Sequence, residues 1–190
     1  MIRLAAAMRR CLLLVIAVAA LGVSGCGDKE QTITAGESEA AYVTLGDLQY
    51  QVQISRQMNP RNVGDRALLV GIPPADRGLA PDEIWFGVWV RAFNQSGRPA
   101  ESADNFKIVD TRGREFEPIP LAKVNSFAYR PTIIPDEGQL PQQGSVASES
   151  SSTGALLLFK LPVEALSFRP LELEFNGKQA GAPSSVTLDV

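Results

Sequence analysis

The stretch LQYQVQI, residues 48–54, alternates strictly, with Leu48, Tyr50, Val52 and Ile54 at even positions and a glutamine between each pair. A period of two is the pattern of a strand with one face on a core and one in water. An amphipathic helix would instead repeat its apolar residues every three or four positions. These seven residues therefore decide for a sheet. Asn59-Pro60, a few residues on, supplies the turn that ends the strand.

Other segments read the same way. Residues 67–72, ALLVGI, form a short apolar run stopped by Pro73-Pro74. Residues 84–93, IWFGVWVRAF, are apolar on both faces and read as a central strand, closed by the loop residues of 94–99, NQSGRP. Residues 105–109 and 114–118 flank Asp110-Thr-Arg-Gly113, whose glycine suits a hairpin. Residues 155–161, ALLLFKL, and 171–175, LELEF, are two further strands joined by 162–166. Asn176-Gly177 ends the last of them. Between Arg130 and Gly154 lies RPTIIPDEGQLPQQGSVASESSSTG, dense in Pro, Gly, Gln and Ser. Ile133-Ile134 are expected to touch the core and 145–153 to form a mobile loop; a connection this long is either functional or disordered.

About seven short strands with turns between them indicate an all-β, antiparallel sandwich, with a barrel as the alternative. No pair of cysteines brackets a tryptophan, so Trp85 or Trp89 is expected to pack without a disulfide.

The amino terminus has a different character. Arg3, Arg9 and Arg10 precede residues 11–23, which carry no charge. Thirteen residues are short for a span, which needs about 20. A basic start, an apolar middle and small residues at the end make a secretory signal peptide. Val23-Ser24-Gly25-Cys26 resembles the lipobox of bacterial lipoproteins, an aliphatic residue and two small residues before cysteine. The resemblance implies lipid on the Cys26 sulfur and removal of residues 1–25; the alternative is an ordinary cleavage site with a chance cysteine nearby. Two acyl chains give lasting attachment, since each buried methylene contributes about 0.8 kcal/mol. The expected organisation is a signal peptide over 1–25, a lipidated flexible tether over 26–41, the sandwich over 42–176 and a loose tail over 177–190. The expected location is extracytoplasmic, anchored to a bacterial membrane.

Composition narrows function. The full chain carries a net charge of −3, and removal of three arginines takes the mature chain to −6, with 15 basic and 21 acidic residues. An acidic surface argues against nucleic acid, which needs clustered Lys and Arg. The absence of histidine removes Ser-His-Asp and Cys-His catalysis and histidine metal sites. No phosphate-binding loop or nucleophile elbow occurs. The reading is a protein that is not an enzyme and has no cofactor, no catalytic residue and no metal site. Asp104, Asp110, Asp136 and Glu137 sit in or near loops, but their spacing matches no calcium motif and solvated turn acids are the commoner case.

Three patterns together, residues 85–94 (WFGVWVRAFN), 106–116 (FKIVDTRGREF) and 154–162 (GALLLFKLP), resemble a family of immunoglobulin-like domains found in bacterial lipoproteins and secreted antigens. The resemblance implies an immunoglobulin-like sandwich acting outside the membrane as an attachment or interaction module. It transfers no chemistry, because the residues that carry it are turn and core residues.

One candidate surface remains. Trp85, Trp89 and Phe93 emerge on one face of their strand with Arg91 between them. Such a row can stack on sugar rings or receive a partner protein; the competing arrangement is burial, usual for tryptophan. The leading expectation is a lipid-anchored interaction module that binds another envelope component, a protein. The alternative is a carrier of a small or sugar-like ligand, using the Trp85/Trp89 face or a pocket at one end of the sandwich.

Overall fold

The computed structural model describes residues 32–178 and 182–190. The signal peptide and the lipobox, Cys26 included, lie outside the described residues. Residues 32–190 belong to one unit, and its strands in chain order are β1 (Ala35–Gly36), β2 (Tyr42–Leu45), β3 (Leu48–Met58), β4 (Glu83–Asn94), β5 (Ala100–Glu101) and β6 (Asn105–Val109), followed by β7 (Glu115–Phe116), β8 (Ile133–Ile134), β9 (Gln139–Leu140), β10 (Ala155–Pro162), β11 (Leu171–Asn176) and β12 (Ser184–Leu188). Seven of them are four residues or longer.

The fold is an all-β sandwich. One sheet has the order β2-β3-β4-β10, antiparallel throughout, with β9 continuing along β4 past the end of β10. The other has the order β1-β12-β11-β6-β7, and β5 pairs with β8 separately. The alternation that begins at Leu48 does its expected work: Leu48, Tyr50 and Val52 point inward, against Phe106, Ile108, Leu173 and Phe175 of the facing sheet. Tyr50 and Phe175 rings lie 4.9 Å apart, and Phe106 meets Tyr129 at 4.8 Å. The Ala103 N–H donates to Tyr50 Oη at 2.6 Å, and burial pushes that phenol up to about 12.

Five expectations change. Ile54 leaves the inner face, because a β-bulge between Val52 and Ile54 inserts Gln53 and reverses the facing of everything beyond it. Ser55 then points inward opposite Val88, while Ile54 and Met58 stand opposite Trp89 and Trp85. Residues 67–72 are not a strand but the end of a short helix, Val63–Leu68, and the turn after it; Asn62 caps it by accepting from the Gly64 and Asp65 N–H groups. The expected loose tail holds β12, whose Val186 and Leu188 are buried in the core. The expected tether over 26–41 includes β1, which runs parallel to β12, so the chain is already fixed at Ile33, whose carbonyl accepts from the Thr44 N–H. Within 145–153 a short helix, Val146–Glu149, forms on a Ser145 cap.

β4 is apolar on both faces because both are covered. Its even positions face the sandwich core. Its odd positions Trp85 and Trp89 join Met58, Leu156 and Leu158 in a second cluster, roofed by the 59–82 and 117–128 segments through Leu68, Ile72, Ile119, Leu121 and Phe127. The roof is tied down by polar contacts. Asp65 accepts from Arg56 at 2.6 Å and from the Asn59 N–H at 2.8 Å, and the buried Asn125 donates to the Leu68 and Val70 carbonyls.

Candidate functional site

The Trp85/Trp89 surface is not a surface. Trp85 is 3% exposed and Trp89 fully buried. Trp89 lies flat over Gly87, where an added Cβ would stand 2.8 Å from ring atoms Cη2 and Cζ3 and 2.9 Å from Met58 Sδ. The Arg56 guanidinium covers the Trp89 ring at 5.1 Å, and Lys160 Nζ sits 5.4 Å from the Trp85 ring while donating to the Gly78 carbonyl. The 24 residues between β3 and β4 leave from the Met58 end of the sheet, so they cover the half of the face nearest that end.

The other half stays open. Tyr42, Gln51 and Arg91 stand in one cross-strand row on the outer face, and Thr44, Gln49, Phe93 and Gln139 in the next. Tyr42 is half exposed and its ring lies 5.9 Å from that of Phe93. Arg91 stacks on Phe93 at 4.7 Å and donates to Gln139 Oε1 at 3.2 Å. Of the four residues proposed from sequence, two build core and two, Arg91 and Phe93, remain accessible. Tyr42 and the glutamines were missed, because nothing local says which strands become neighbours.

Phe93 leads directly to a concavity. A cavity of about 470 Å³ opens at the Asn94 end of β4, between residues 93–97 and 136–139. A second, of about 370 Å³, lies on the other side of the same 135–139 turn, against residues 132–134 and 142–143. The two share Glu137, Gly138 and Gln139. The first lies within the 300–1,000 Å³ range of ligand sites and the second near its lower end.

Their walls are held by one buried side chain. Asn94 Nδ2 donates to the Arg98 carbonyl at 2.7 Å and to the Ile134 carbonyl at 2.8 Å. Its Oδ1 accepts from the Ser96 N–H and hydroxyl, and its backbone N–H donates to the Gly138 carbonyl at 2.9 Å. Asp136 Oδ1 accepts from the Gly97 N–H at 2.9 Å, joining the two walls directly. Glu137 adopts a left-handed φ of 57°, and Gly138 has no room for a Cβ, which would lie 2.7 Å from the Pro135 oxygen. The amide side chains Gln95, Gln142 and Gln143 reach this end and are exposed. So the Pro/Gly/Gln-rich stretch whose role stayed open in the sequence is ordered over 130–143, with Ile134 buried and Ile133 62% exposed.

The remaining candidate acids have structural duties. Asp110 is buried in the β6–β7 turn; burial pushes its carboxyl up, but hydrogen bonds from Arg114 and from the Arg114 and Arg112 N–H groups outweigh that and hold it below the usual carboxylate value. Asp104 faces Lys178 at 3.8 Å. Among the described residues no group of three or more Cys, Asp or Glu side chains converges as a metal site would require, and no helix is long and apolar enough to cross a membrane.

No family model matches this chain, and no curated protein matches it. Among solved structures it is similar to a candidate lipoprotein, ycdA, of Bacillus subtilis subsp. subtilis str. 168, at 15% identity and a TM-score of 0.47, covering 80% of this chain and 38% of that one. The chain thus spans well under half the length of that protein. It is also similar to the yjhA protein of Bacillus subtilis, at 10% identity and a TM-score of 0.46 over 80% of this chain and 99% of that one. A third is an uncharacterized β-sandwich protein from Clostridium difficile 630, at 8% identity and a TM-score of 0.43, covering 81% and 95%.

Proposed function

We propose that this chain is a lipid-anchored, extracytoplasmic binding module of the immunoglobulin-like kind, without catalytic activity, that engages another component of the cell envelope through the end of the sandwich built by residues 93–98 and 130–143. The anchor rests on the lipobox, Val23-Ser-Gly-Cys26. The binding role rests on one observation above the others: two adjoining cavities on walls that the buried Asn94 holds in place. A preformed site needs no ordering when its ligand arrives, which favours affinity. The bound component expected first from the sequence is a protein, and a small or sugar-like ligand held at this end of the sandwich is the alternative, which the two cavities favour.

Two measurements test the proposal. Mass spectrometry of the membrane-extracted protein should find Cys26 as first residue carrying diacylglycerol, and Cys26→Ser should release the protein from membranes. A photo-crosslinking residue at Gln143 should form a defined adduct in intact cells, whereas one at Arg112, in the β6–β7 turn at the opposite end, should not. A soluble wild type refutes the anchor; equal adducts from both positions, or none, refute the binding end.

A further inference from the structure

We infer that the ligand of these cavities is a neutral saccharide chain, laid across the 135–139 turn with sugar units on either side of it. This inference rests on the binding end just proposed and names the chemistry that it selects.

The lining chooses the ligand by exclusion and by fit. Its charged side chains are Asp136 and Glu137, so a phosphate or carboxylate ligand would meet like charge. The cations close by are already engaged: Arg91 stacks on Phe93 and bonds Gln139, and Arg98 is paired with Asp47 at 2.7 Å. Polar side chains and backbone make up too much of the lining for a lipid tail, which would leave them unpaired at a cost. A peptide added as a strand needs free backbone groups at an edge, but at the first cavity the Asn94, Gly97 and Gly138 N–H groups are all consumed within the walls.

What remains on offer suits hydroxyl groups. A primary amide presents two donors and an acceptor in one plane, and a carboxylate accepts from two directions; neighbouring ring hydroxyls complement both. Gln95 stands at the first cavity, Gln142 and Gln143 at the second, and Glu137 at both, whereas the Gln139 amide already accepts from Arg91 and donates to the Pro141 carbonyl. Among the described residues the Glu137 carboxylate bonds no other side chain. Phe93 lines the first cavity and gives it an apolar contact for the C–H groups of a sugar, one face of its ring being already taken by Arg91. Two cavities that meet at one turn match a repeating polymer better than a single small molecule.

The test uses the full mature protein, purified from membranes in a detergent without a sugar headgroup. The probes are the β-1,4-linked tetramers of glucose and of N-acetylglucosamine, with a neutral tetra-alanine peptide as control. Amide resonances are followed during titration. The expected result is saturable movement of the Gly97, Gly138 and Gln139 signals with at least one saccharide and none with the peptide. The pair Gln95→Ala and Gln143→Ala, two exposed side chains whose loss does not threaten the fold, should weaken binding about tenfold, a loss of hydrogen bonds alone. Phe93→Ala should weaken it further. No movement with either saccharide, or movement that the Gln95/Gln143 pair leaves unchanged, overturns the inference. If the Gln143 cross-link in cells is still formed in that case, the binding end stands and only the ligand class falls; if it too is absent, both fall.

Discussion

Replacing Gly87 by alanine should destabilise this protein, although alanine usually improves a strand. Gly87 lies mid-strand in β4 and its φ is not left-handed, so backbone freedom is not its purpose. The reason is space: the new Cβ would sit 2.8 Å from two atoms of the Trp89 ring and 2.9 Å from Met58 Sδ. Trp89 cannot yield easily, because Gly154 packs so closely on its other end that a Cβ there would lie 3.0 Å from Trp89 Cβ, and Arg56 lies over its face. Overpacking of this kind costs about 1–3 kcal/mol. Replacing a strand glycine returns about 0.5–1 kcal/mol, leaving a net loss of about 1–2 kcal/mol. For a domain of this size that is a fall in Tm of about 2–8 °C. Guanidinium unfolding, followed by far-UV circular dichroism, measures it. Trp89→Phe supplies the control, since phenylalanine lacks the Cη2 and Cζ3 atoms that clash and also removes an indole N–H that is buried without an acceptor. In the Gly87→Ala/Trp89→Phe double variant the glycine penalty should shrink to a few tenths of a kcal/mol, a coupling well within the range of touching residues. A Gly87→Ala protein as stable as wild type, or a penalty that persists without the indole, would show that the roofed packing is not as described.

Two further results are expected. Acid should loosen the roof and the β6–β7 turn: Asp65, through the hydrogen bond from Arg56, and Asp110, whose bonds from Arg114 and the turn outweigh its burial, both have folded pKa values below the ordinary carboxylate value. Their stabilisation is full above about pH 4, the unfolded value, and is lost as pH falls through the folded pKa; unfolding free energies measured from neutral pH downward should drop over that window, and the drop should flatten in the Asp65→Asn/Asp110→Asn double variant. Ending the chain at Lys178 should abolish cooperative unfolding, because β12 covers one side of β11 and buries Val186 and Leu188; an unchanged thermal transition would restore the loose-tail reading.

The sequence carried the strand list because side-chain alternation is a local property: β3, β4, β6, β10 and β11 all follow from runs of a few residues. It failed where a neighbour decides. Ile54 obeys the even-position rule in sequence and breaks it in the sheet, since a bulge is a feature of two strands and Gln53 does not announce it. β1 is only Ala35–Gly36 and becomes a strand because β12 lies beside it, while β12, short and half polar, becomes one because β11 offers it an edge. Residues 67–72 are equally apolar in a strand or at a helix end, and only the Asn62 cap distinguishes them. Trp85 and Trp89 were correctly placed on one face, yet that face is buried by the connectors on either side of the strand, through Leu68 and Ile72 before it and Ile119, Leu121 and Phe127 after it. The cavities were beyond reach for the same reason, since Asn94 acts through carbonyls of residues 98 and 134.

The split outer face of the β2-β3-β4-β10 sheet has a consequence for how the molecule divides its tasks. The connector from β3 to β4 starts at the Met58 end and is pinned there by Arg56 and Asp65, so its roof ends before Arg91. Beyond that line the same strand carries residues with partial exposure, and its last residue, Asn94, organises the cavity walls instead of a core. One strand thus runs from a sealed apolar layer, where a change of one methyl is felt as stability, to a polar rim, where side chains end in water. Substitutions at 85, 87 and 89 should therefore alter unfolding and leave ligand contact untouched, while those at 95, 139 and 143 should do the reverse. At Asn94 both should fail together: removing its amide strips the buried Ile134 carbonyl of its side-chain donor, leaves the Arg98 carbonyl with the Ser96 hydroxyl alone, and loosens the two walls in the same step.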